Sequence, residues 1–391
     1  MVRSTNNTPI GPITTSGTSH RLWIVRRTSR LVAGAPGARG SPSRRDPSAP
    51  PPEAATSQES IESPTTYSRQ VNEPLPLIFD GLVVAQWGQE TFEALRRGGI
   101  SGINATCAVW ENTEQTIRGI ARWIRWFDEF QPLIKHARSV ADIRAAYNSS
   151  KTAVVLGFQN TSPIEDDVDL IWLFRELGVG IMQLTYNTRN SVGSGCYDTQ
   201  DSGLSEFGRK VVKELNRANV AIDLSHCSYE TALDTVRTSS APVAFSHVVP
   251  RELKNHPRNK RSHELELVAQ EGGIVGITTF PSFLPGGDNS SIDDVVETME
   301  WAIELCGEDA VTFGSDSTQG HGPEFFDWIS HDKGSGAQLV DFGDIKFPAG
   351  LQRLEDTPNL VDVMQRRGWQ ERLTAKVLGE NWLAFLTRVW Q

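Results

Sequence analysis

Residues 220–259 read VAIDLSHCSYETALDTVRTSSAPVAFSHVVPRELKNHPRN, and this stretch indicates how the whole chain folds. It contains two apolar runs typical of strands, which end in His226 and His247, with a helix-like segment between them. Neighbouring parallel strands need a crossover of this kind. Since such strands lie about 4.8 Å apart, the two imidazoles at their matching ends could bind one metal ion. Barrels and open α/β sheets build their sites from such units, at the carboxyl ends of the strands.

Each histidine also has a simpler interpretation, as a hydrogen-bonded residue of the core or of the rim. The pair occupies matching ends of consecutive strands, however, and Arg258 follows His247 by eleven residues in a polar loop. This convergence of titratable and charged side chains favours a functional site.

Outward from this stretch, strands and helices alternate along the chain from Leu75 onward. The eight predicted strands cover 77–84, 101–109, 152–159, 181–187, 220–226, 242–247, 274–280 and 311–316. A long tryptophan-rich helix is predicted over 113–137, with its aromatic residues facing the core. Eight strands that alternate with helices predict an α/β fold, a closed (β/α)8 TIM barrel rather than a doubly wound sheet. No GxGxxG follows the first strand and no GxxxxGK[ST] occurs, which argues against nucleotide binding.

The first 70 residues differ from the rest in composition. They are rich in Ser, Thr, Pro, Gly and Arg, and no acidic residue precedes Asp46. Two interpretations stay open: a disordered extension, or a targeting segment whose basic piece HRLWIVRRTSRLVAGA resembles a mitochondrial presequence. We therefore predict an N-terminal extension over 1–70 and a barrel with C-terminal helices over 71–391.

Composition limits the classes of partner and compartment. The net charge of −10 argues against a nucleic-acid partner, and no run of 18 apolar residues predicts a transmembrane segment. The four cysteines form neither a CxxC pair nor a disulfide framework, so a reducing compartment is expected. We expect a cytoplasmic protein, with a mitochondrial one as the alternative, and we consider a homodimer as its assembly.

Residues of the kind that do chemistry fall at the carboxyl ends of several predicted strands. They are Asp80, Gln159, Tyr186, Asn187, His226, His247 and Asp316, with Arg258 in the loop after the sixth strand. Two histidines and a carboxylate form a ligand set that catalytic zinc uses, with a position left for water. The metal lowers the pKa of that water and polarises a carbonyl, so an amide can be hydrolysed without a side-chain nucleophile. No GxSxG is present to suggest one.

Four segments carry a specific resemblance: GLSEFGRKVVKELNRANVAIDLSH, APVAFSH, the PRN of HPRN, and FGSD. They resemble the membrane (renal) dipeptidase family, metallopeptidase family M19, whose members are (β/α)8 metal-dependent hydrolases. By this resemblance His226 and His247 correspond to ligands of the family's second metal. It also implies that Arg258 binds the substrate carboxylate, and that Asp316 is a metal ligand that handles a proton.

The chain departs from the family pattern at the first metal. Leu82 and Val84 stand where the family has His-x-Asp, and Gln159 stands where it has a glutamate that bridges both metals. Tyr186 replaces the histidine that polarises the scissile carbonyl. We therefore expect one zinc ion on His226 and His247, completed by Asp316, Gln159 or water, and we expect no second ion.

These residues predict a mononuclear zinc hydrolase of dipeptidase type. Its substrate would be a dipeptide or another small amide, with a free carboxylate held by Arg258 beside Tyr186 and Asn187. Asp316 would move the proton, and Tyr186 would donate a hydrogen bond to the oxyanion. Two alternatives stay open: a metal-dependent lyase or decarboxylase of small-molecule metabolism, and a metal-free pseudoenzyme that binds its ligand without turnover.

Overall fold

The computed structural model of the chain describes residues 75–391. The described part contains these strands: β1 Phe79–Val83, β2 Gly102–Ala108, β3 Ile134–His136, β4 Thr152–Phe158, β5 Val179–Gln183, β6 Ala221–Asp223, β7 Ala244–Val248, β8 Ile274–Ile277 and β9 Val311–Phe313. Its α-helices are α1 Gln89–Arg97, α2 Thr113–Glu129, α3 Val140–Asn148, α4 Leu170–Glu176, α5 Glu206–Arg217, α6 Tyr229–Thr238, α7 Ser262–Gln270, α8 Ile292–Cys306, α9 Pro323–Ser330, α10 Asn359–Arg366, α11 Glu371–Ala375 and α12 Asn381–Val389. The predicted extension over 1–70 lies outside the described residues.

All strand pairs in the sheet are parallel, in the order β1-β2-β4-β5-β6-β7-β8-β9. The first and last strands meet through a parallel bridge between Val83 and Ser317, and the Asp316 amide donates to the Leu82 carbonyl at 2.9 Å. These contacts close the sheet on itself, with helices in the connections between strands. The predicted (β/α)8 barrel is confirmed.

The long helix predicted over 113–137 is wrong at its carboxyl end. Asn112 caps α2 through the backbone N–H of Gln115, and the helix ends at Glu129. Pro132 follows closely, and a proline has no N–H to donate and disfavours helix in the residue before it. The chain instead forms β3, a ninth strand that pairs with β4 beside the barrel path.

The aromatic stripe of α2 faces the core, as predicted. Trp123 is buried, and Trp126 and Phe130 are partly buried against the same cluster. Phe92 of α1 meets the rings of Trp126 and Phe130 at centroid distances of 5.9 and 5.3 Å. This stripe therefore holds helices together and is not a ligand site.

The amino-terminal end of the barrel is filled by apolar side chains from α12. Trp382 is fully buried, and its indole N–H donates to the Phe313 carbonyl at 3.2 Å. Gly81 in β1 leaves room for this ring, since a Cβ atom there would lie 2.6 Å from it. Apolar packing at one end leaves the carboxyl ends of the strands for polar residues. No helix among residues 75–391 has the length and apolar character needed to cross a membrane.

Candidate active site

Five of the eight predicted site residues line a small cavity at the carboxyl end of the barrel. Gln159, Tyr186, Asn187, His226 and Asp316 line the cavity, whose volume is about 20 Å³. His247 and Arg258 are enclosed, with exposed fractions of 0% and 1%. The strands end earlier than predicted, so these lining residues occupy the segments that follow β4, β5, β6 and β9. Outside the regular strands, these segments can aim side chains at one point.

The two histidines face each other through their outer nitrogens. His226 Nε2 lies 3.0 Å from His247 Nε2, as the matching strand ends predict. Serine caps position the connection between them: Ser228 accepts from the backbone N–H of Thr231 and begins α6 directly after His226.

Hydrogen bonds on the inner nitrogens fix the tautomer of each imidazole. His226 Nδ1 lies 2.6 Å from Asn187 Oδ1, and an amide oxygen can only accept, so Nδ1 carries the proton. His247 Nδ1 lies 2.7 Å from Ser246 Oγ, and that hydroxyl donates to Asp223 Oδ2 at 2.5 Å. Because the Ser246 hydroxyl hydrogen is used in the hydrogen bond to Asp223, the Ser246 oxygen accepts a hydrogen bond from His247 Nδ1–H. Both Nε2 atoms therefore present lone pairs.

Two lone pairs at 3.0 Å repel each other unless a cation lies between them. A proton is disfavoured there, because burial first and Arg258 next hold the pKa of both imidazoles well below the usual range. A metal held by neutral imidazoles, each with Nδ1–H bonded to an oxygen, is the usual arrangement at zinc sites. The residues present therefore fit one metal ion on His226 and His247.

A complete protein ligand set is absent. Nowhere in residues 75–391 do three His, Cys, Asp or Glu side chains group closely enough to hold a metal. Leu82 and Val84 are buried apolar residues, and the Gln159 amide donates to Thr106 Oγ1 at 3.1 Å. Whether Asp316, Gln159 or water completes the coordination stays a prediction.

Two carboxyl groups lie buried, Asp80 in β1 and Asp316 after β9, and Asp316 lines the same cavity as His226. Asp80 Oδ1 accepts from the amides of Leu82 and Ser315 at 3.2 and 2.7 Å, while its Oδ2 has no partner in the described part of the chain. Burial raises the Asp80 pKa to about 7. Asp316 has a left-handed backbone with φ 57°, and burial raises its pKa to about 6 against the opposing effect of Arg258. A carboxyl group with such a pKa can both accept and release a proton near neutrality.

Two buried cationic side chains, Arg258 and Lys260, donate hydrogen bonds to backbone carbonyls at or next to the two histidines. The Arg258 guanidinium donates from Nη1 to the Ser225 carbonyl and from Nη2 to the His247 carbonyl, the latter at 2.8 Å. Lys260 Nζ donates to the Cys227 carbonyl. Arg258 Nε finds no partner among the described residues, and each Nη keeps a second N–H. The guanidinium thus supports the histidine-bearing turns and retains donors for an anion.

Tyr186 and Asn187 lie against His226. The Tyr186 ring stacks on the imidazole at 4.3 Å and meets Trp110 edge-on at 5.0 Å. Burial raises the Tyr186 pKa above its ordinary value, so the phenol keeps its proton and can donate. Asn187 holds a left-handed backbone with φ 62°, which turns its amide oxygen toward His226.

Sequence reasoning missed the groups that orient His247. Asp223 accepts from the Ser225 and Ser246 amides and from both hydroxyls, all at 2.5–3.0 Å. A signal was present in the repeated Ser-His pair, Ser225-His226 and Ser246-His247, at both strand ends. The two serines differ in their contacts with His247, because the Ser246 hydroxyl touches the imidazole nitrogen, whereas the Ser225 hydroxyl accepts from the backbone N–H at 3.1 Å.

Ser246→Ala is expected to weaken zinc binding by about 10–100-fold, as loss of an outer partner of a metal-bound histidine does. Ser225→Ala is the control: it removes a hydroxyl from the same carboxylate and the acceptor of the His247 backbone N–H, but it leaves the His247 ring contact in place. Competition against a chromophoric chelator measures both affinities. Equal losses in the two variants would show that Ser246 acts on the fold alone.

Comparison with known proteins gives consistent matches. Residues 82–330 match the family model described as membrane dipeptidase, peptidase family M19. A solved amidohydrolase from Pseudomonas aeruginosa is 43% identical, with a TM-score of 0.79, over 81% of this chain and 97% of that one. An uncharacterized dipeptidase of Schizosaccharomyces pombe is 28% identical over 64% of this chain, and the match spans 55% of that relative's length.

A metallopeptidase from Rhodobacter sphaeroides, solved with a phosphinate mimic of the dipeptide L-Ala-D-Ala, has a similar fold. Its TM-score is 0.68 at 22% identity, over 81% of this chain and 99% of that one. At this identity the likeness supports the barrel fold alone.

Proposed function

Because this chain belongs to the membrane dipeptidase family, peptidase family M19, we propose that it is a mononuclear zinc hydrolase of dipeptides or similar small amides with a free carboxylate. The observation that carries the proposal is the pair of Nε2 lone pairs that converge at 3.0 Å. His226 and His247 would hold the ion. When bound, zinc supplies a Lewis acid for the carbonyl and lowers the pKa of water.

Asp316 is the proton carrier in this proposal. Its carboxylate takes a proton from the attacking water as the new C–O bond forms, and returns it to the leaving nitrogen as the C–N bond breaks. The raised pKa of about 6 suits both steps, because the group is mostly ionised at neutral pH yet basic enough to accept. The left-handed backbone at this position holds the side chain at the cavity wall.

Tyr186 and Arg258 bind the two oxygen-bearing ends of the substrate. The Tyr186 phenol, kept protonated by burial, donates to the oxygen that becomes negative when water adds to the carbonyl. Arg258 receives the free carboxylate through Nε–H and its unused Nη–H groups. The role of Tyr186 rests on its place at the cavity wall. The role of Arg258 rests on its contacts with the histidine-bearing turns and on donors that have no partner among the described residues, since it does not line the closed cavity.

Arg258→Lys is expected to lower kcat/KM for a free dipeptide by about 100-fold, since lysine cannot offer a bidentate fork to a carboxylate. The same dipeptide with a C-terminal amide should lose far less, because it presents no carboxylate. Steady-state kinetics on the two substrates measures the difference. Arg251→Lys, on the same loop, is the control. An equal loss of kcat/KM on both substrates would show that Arg258 acts only through its hydrogen bonds to the Ser225 and His247 carbonyls.

Elemental analysis of purified protein, together with a dipeptide panel, tests the proposal as a whole. One equivalent of zinc with hydrolysis supports it. One equivalent of zinc without hydrolysis of any dipeptide favours the lyase alternative. The altered metal position, where Leu82 and Val84 are apolar, is the reason for considering a lyase. No metal favours the metal-free binding protein.

A further inference from the structure

The mouth of the barrel is covered by residues 323–342, which we call the cover. It consists of α9 and a following loop. Phe325, Ile329 and Phe342 of the cover line the cavity and face the histidine side of the barrel. Ile329 packs in one cluster with Trp110 and Tyr186, so the cover touches the ring that stacks on His226.

The cavity wall is apolar apart from the catalytic side. Beside the three cover residues, Phe280 and Phe283 line it, and the Phe280 and Phe342 rings meet at 5.3 Å. Among the described residues that line the cavity, Asp316 is the one carboxylate, and no Lys or Arg is present. A charged side chain placed against these five apolar residues would find no partner among them, and burying an unpaired charge is strongly unfavourable.

The cover must move for a substrate to enter. The cavity of about 20 Å³ holds little more than one water, whereas small-molecule pockets measure roughly 300–1,000 Å³. Among the described residues, few side-chain hydrogen bonds join the cover to the barrel. Thr188 Oγ1 donates to Asp332 Oδ1 at 2.8 Å, and Lys333 Nζ donates to the Trp110 carbonyl. An open cavity of about 350 Å³ lies on the outer side of the cover, beside Phe326 and Gln338.

We propose that the cover determines specificity, and that Phe325, Ile329 and Phe342 form a subsite for an uncharged, apolar side chain of the substrate. This inference rests on the proposed hydrolase function and names its substrate class. A leucine side chain can make apolar contacts with these three residues. A glutamate side chain loses its hydration there without a cation to compensate, because no Lys or Arg of the described residues lines the cavity.

The test compares dipeptides of the forms X-Ala and Ala-X, in which X is Leu, Gln, Glu or Lys. The two forms locate the subsite on one side of the scissile bond. At the favoured position we expect kcat/KM for Leu to exceed that for Glu by at least about 100-fold. Phosphinate analogues of the Leu and Glu dipeptides provide a binding measurement by calorimetry that is independent of turnover.

Two adjacent residues of α9 give matched variants. Ile329 lines the cavity and is 5% exposed, whereas Trp328 is 42% exposed and does not line it. Ile329→Lys should shift the Leu-to-Glu ratio toward Glu by at least about 10-fold, since the new cation pairs with the substrate carboxylate. Trp328→Lys should leave the ratio unchanged. Should Ile329→Lys fail to fold, Ile329→Thr, which inserts only a hydroxyl, should still reduce the preference for Leu.

Failure of this inference differs from failure of the proposed function. Equal binding of the Leu and Glu analogues, or equal shifts in Ile329→Lys and Trp328→Lys, would overturn the assignment of the cover while hydrolysis stands. Preferred binding of the Leu analogue without cleavage of any dipeptide would keep the subsite and refute the hydrolase.

Discussion

His226→Ala combined with His247→Ala is expected to leave the purified protein without bound zinc and to lower kcat/KM by at least about 10³-fold, since a catalytic metal contributes several kcal/mol to the transition state. In the proposed site both protein ligands are lost, and no group of three His, Cys, Asp or Glu side chains in residues 75–391 can replace them. Each single variant should lose most of the zinc as well, because one imidazole binds the ion weakly.

Elemental analysis and dipeptide kinetics on the double variant measure this outcome, with circular dichroism to verify the fold. His263→Ala is the control, since His263 is an exposed residue of α7 whose ring contacts Tyr229 at the surface. Retention of one zinc equivalent by the double variant would place the metal elsewhere in the chain. Two tightly bound ions in the wild type would refute the mononuclear site.

The barrel and the position of the histidines could be predicted because both depend on local patterns. Apolar runs of strand length alternate with helical segments, and His226 and His247 end two consecutive runs. Parallel strands in one barrel bring such ends together whatever the rest of the chain does. The convergence of the two Nε2 atoms at 3.0 Å follows from this register.

The hydrogen bonds that orient the imidazoles could not be predicted in the same way. Asn187 reaches His226 from another strand end, through a left-handed backbone that no periodicity indicates. Asp223 lies in β6 and acts on His247 only through the Ser246 hydroxyl. Both contacts depend on side-chain directions in the folded barrel.

The cover was missed for a related reason. Residues 317–350 are rich in Gly, Pro and polar residues, which predicts loop, yet 323–330 form a helix that starts with Pro323 at its first turn. The stability of this short helix comes from Phe325 and Ile329 packed over Trp110 and Tyr186. Such packing is a tertiary effect, and an eight-residue helix has little stability alone.

The combined variant Leu82→His, Val84→Asp and Gln159→Glu is expected to raise the metal content from one zinc toward two. It supplies the three ligand types that the family carries and this chain lacks, beside Asp80, whose Oδ2 has no partner among the described residues. Beside this one carboxyl group the wild type has the apolar Leu82 and Val84 and the neutral Gln159 amide, so excess zinc should not add a second ion. One restored ligand should do little, because affinity depends on the number and geometry of ligands together.

The stability of this triple variant should depend on zinc. Without metal, three new polar or charged groups lie buried in a site that is now mainly apolar, which lowers the free energy of unfolding. Zinc binds the folded state and should restore the free energy of unfolding, so the Tm should rise with zinc concentration. Leu82→Asn with Val84→Asn is the matched control: it is comparably polar but ligates zinc poorly, so its Tm should fall without recovery. The prediction fails if the triple variant binds no more zinc than the wild type, or if zinc raises its Tm no more than that of this control. Either result would show that the backbone no longer provides a first-metal position.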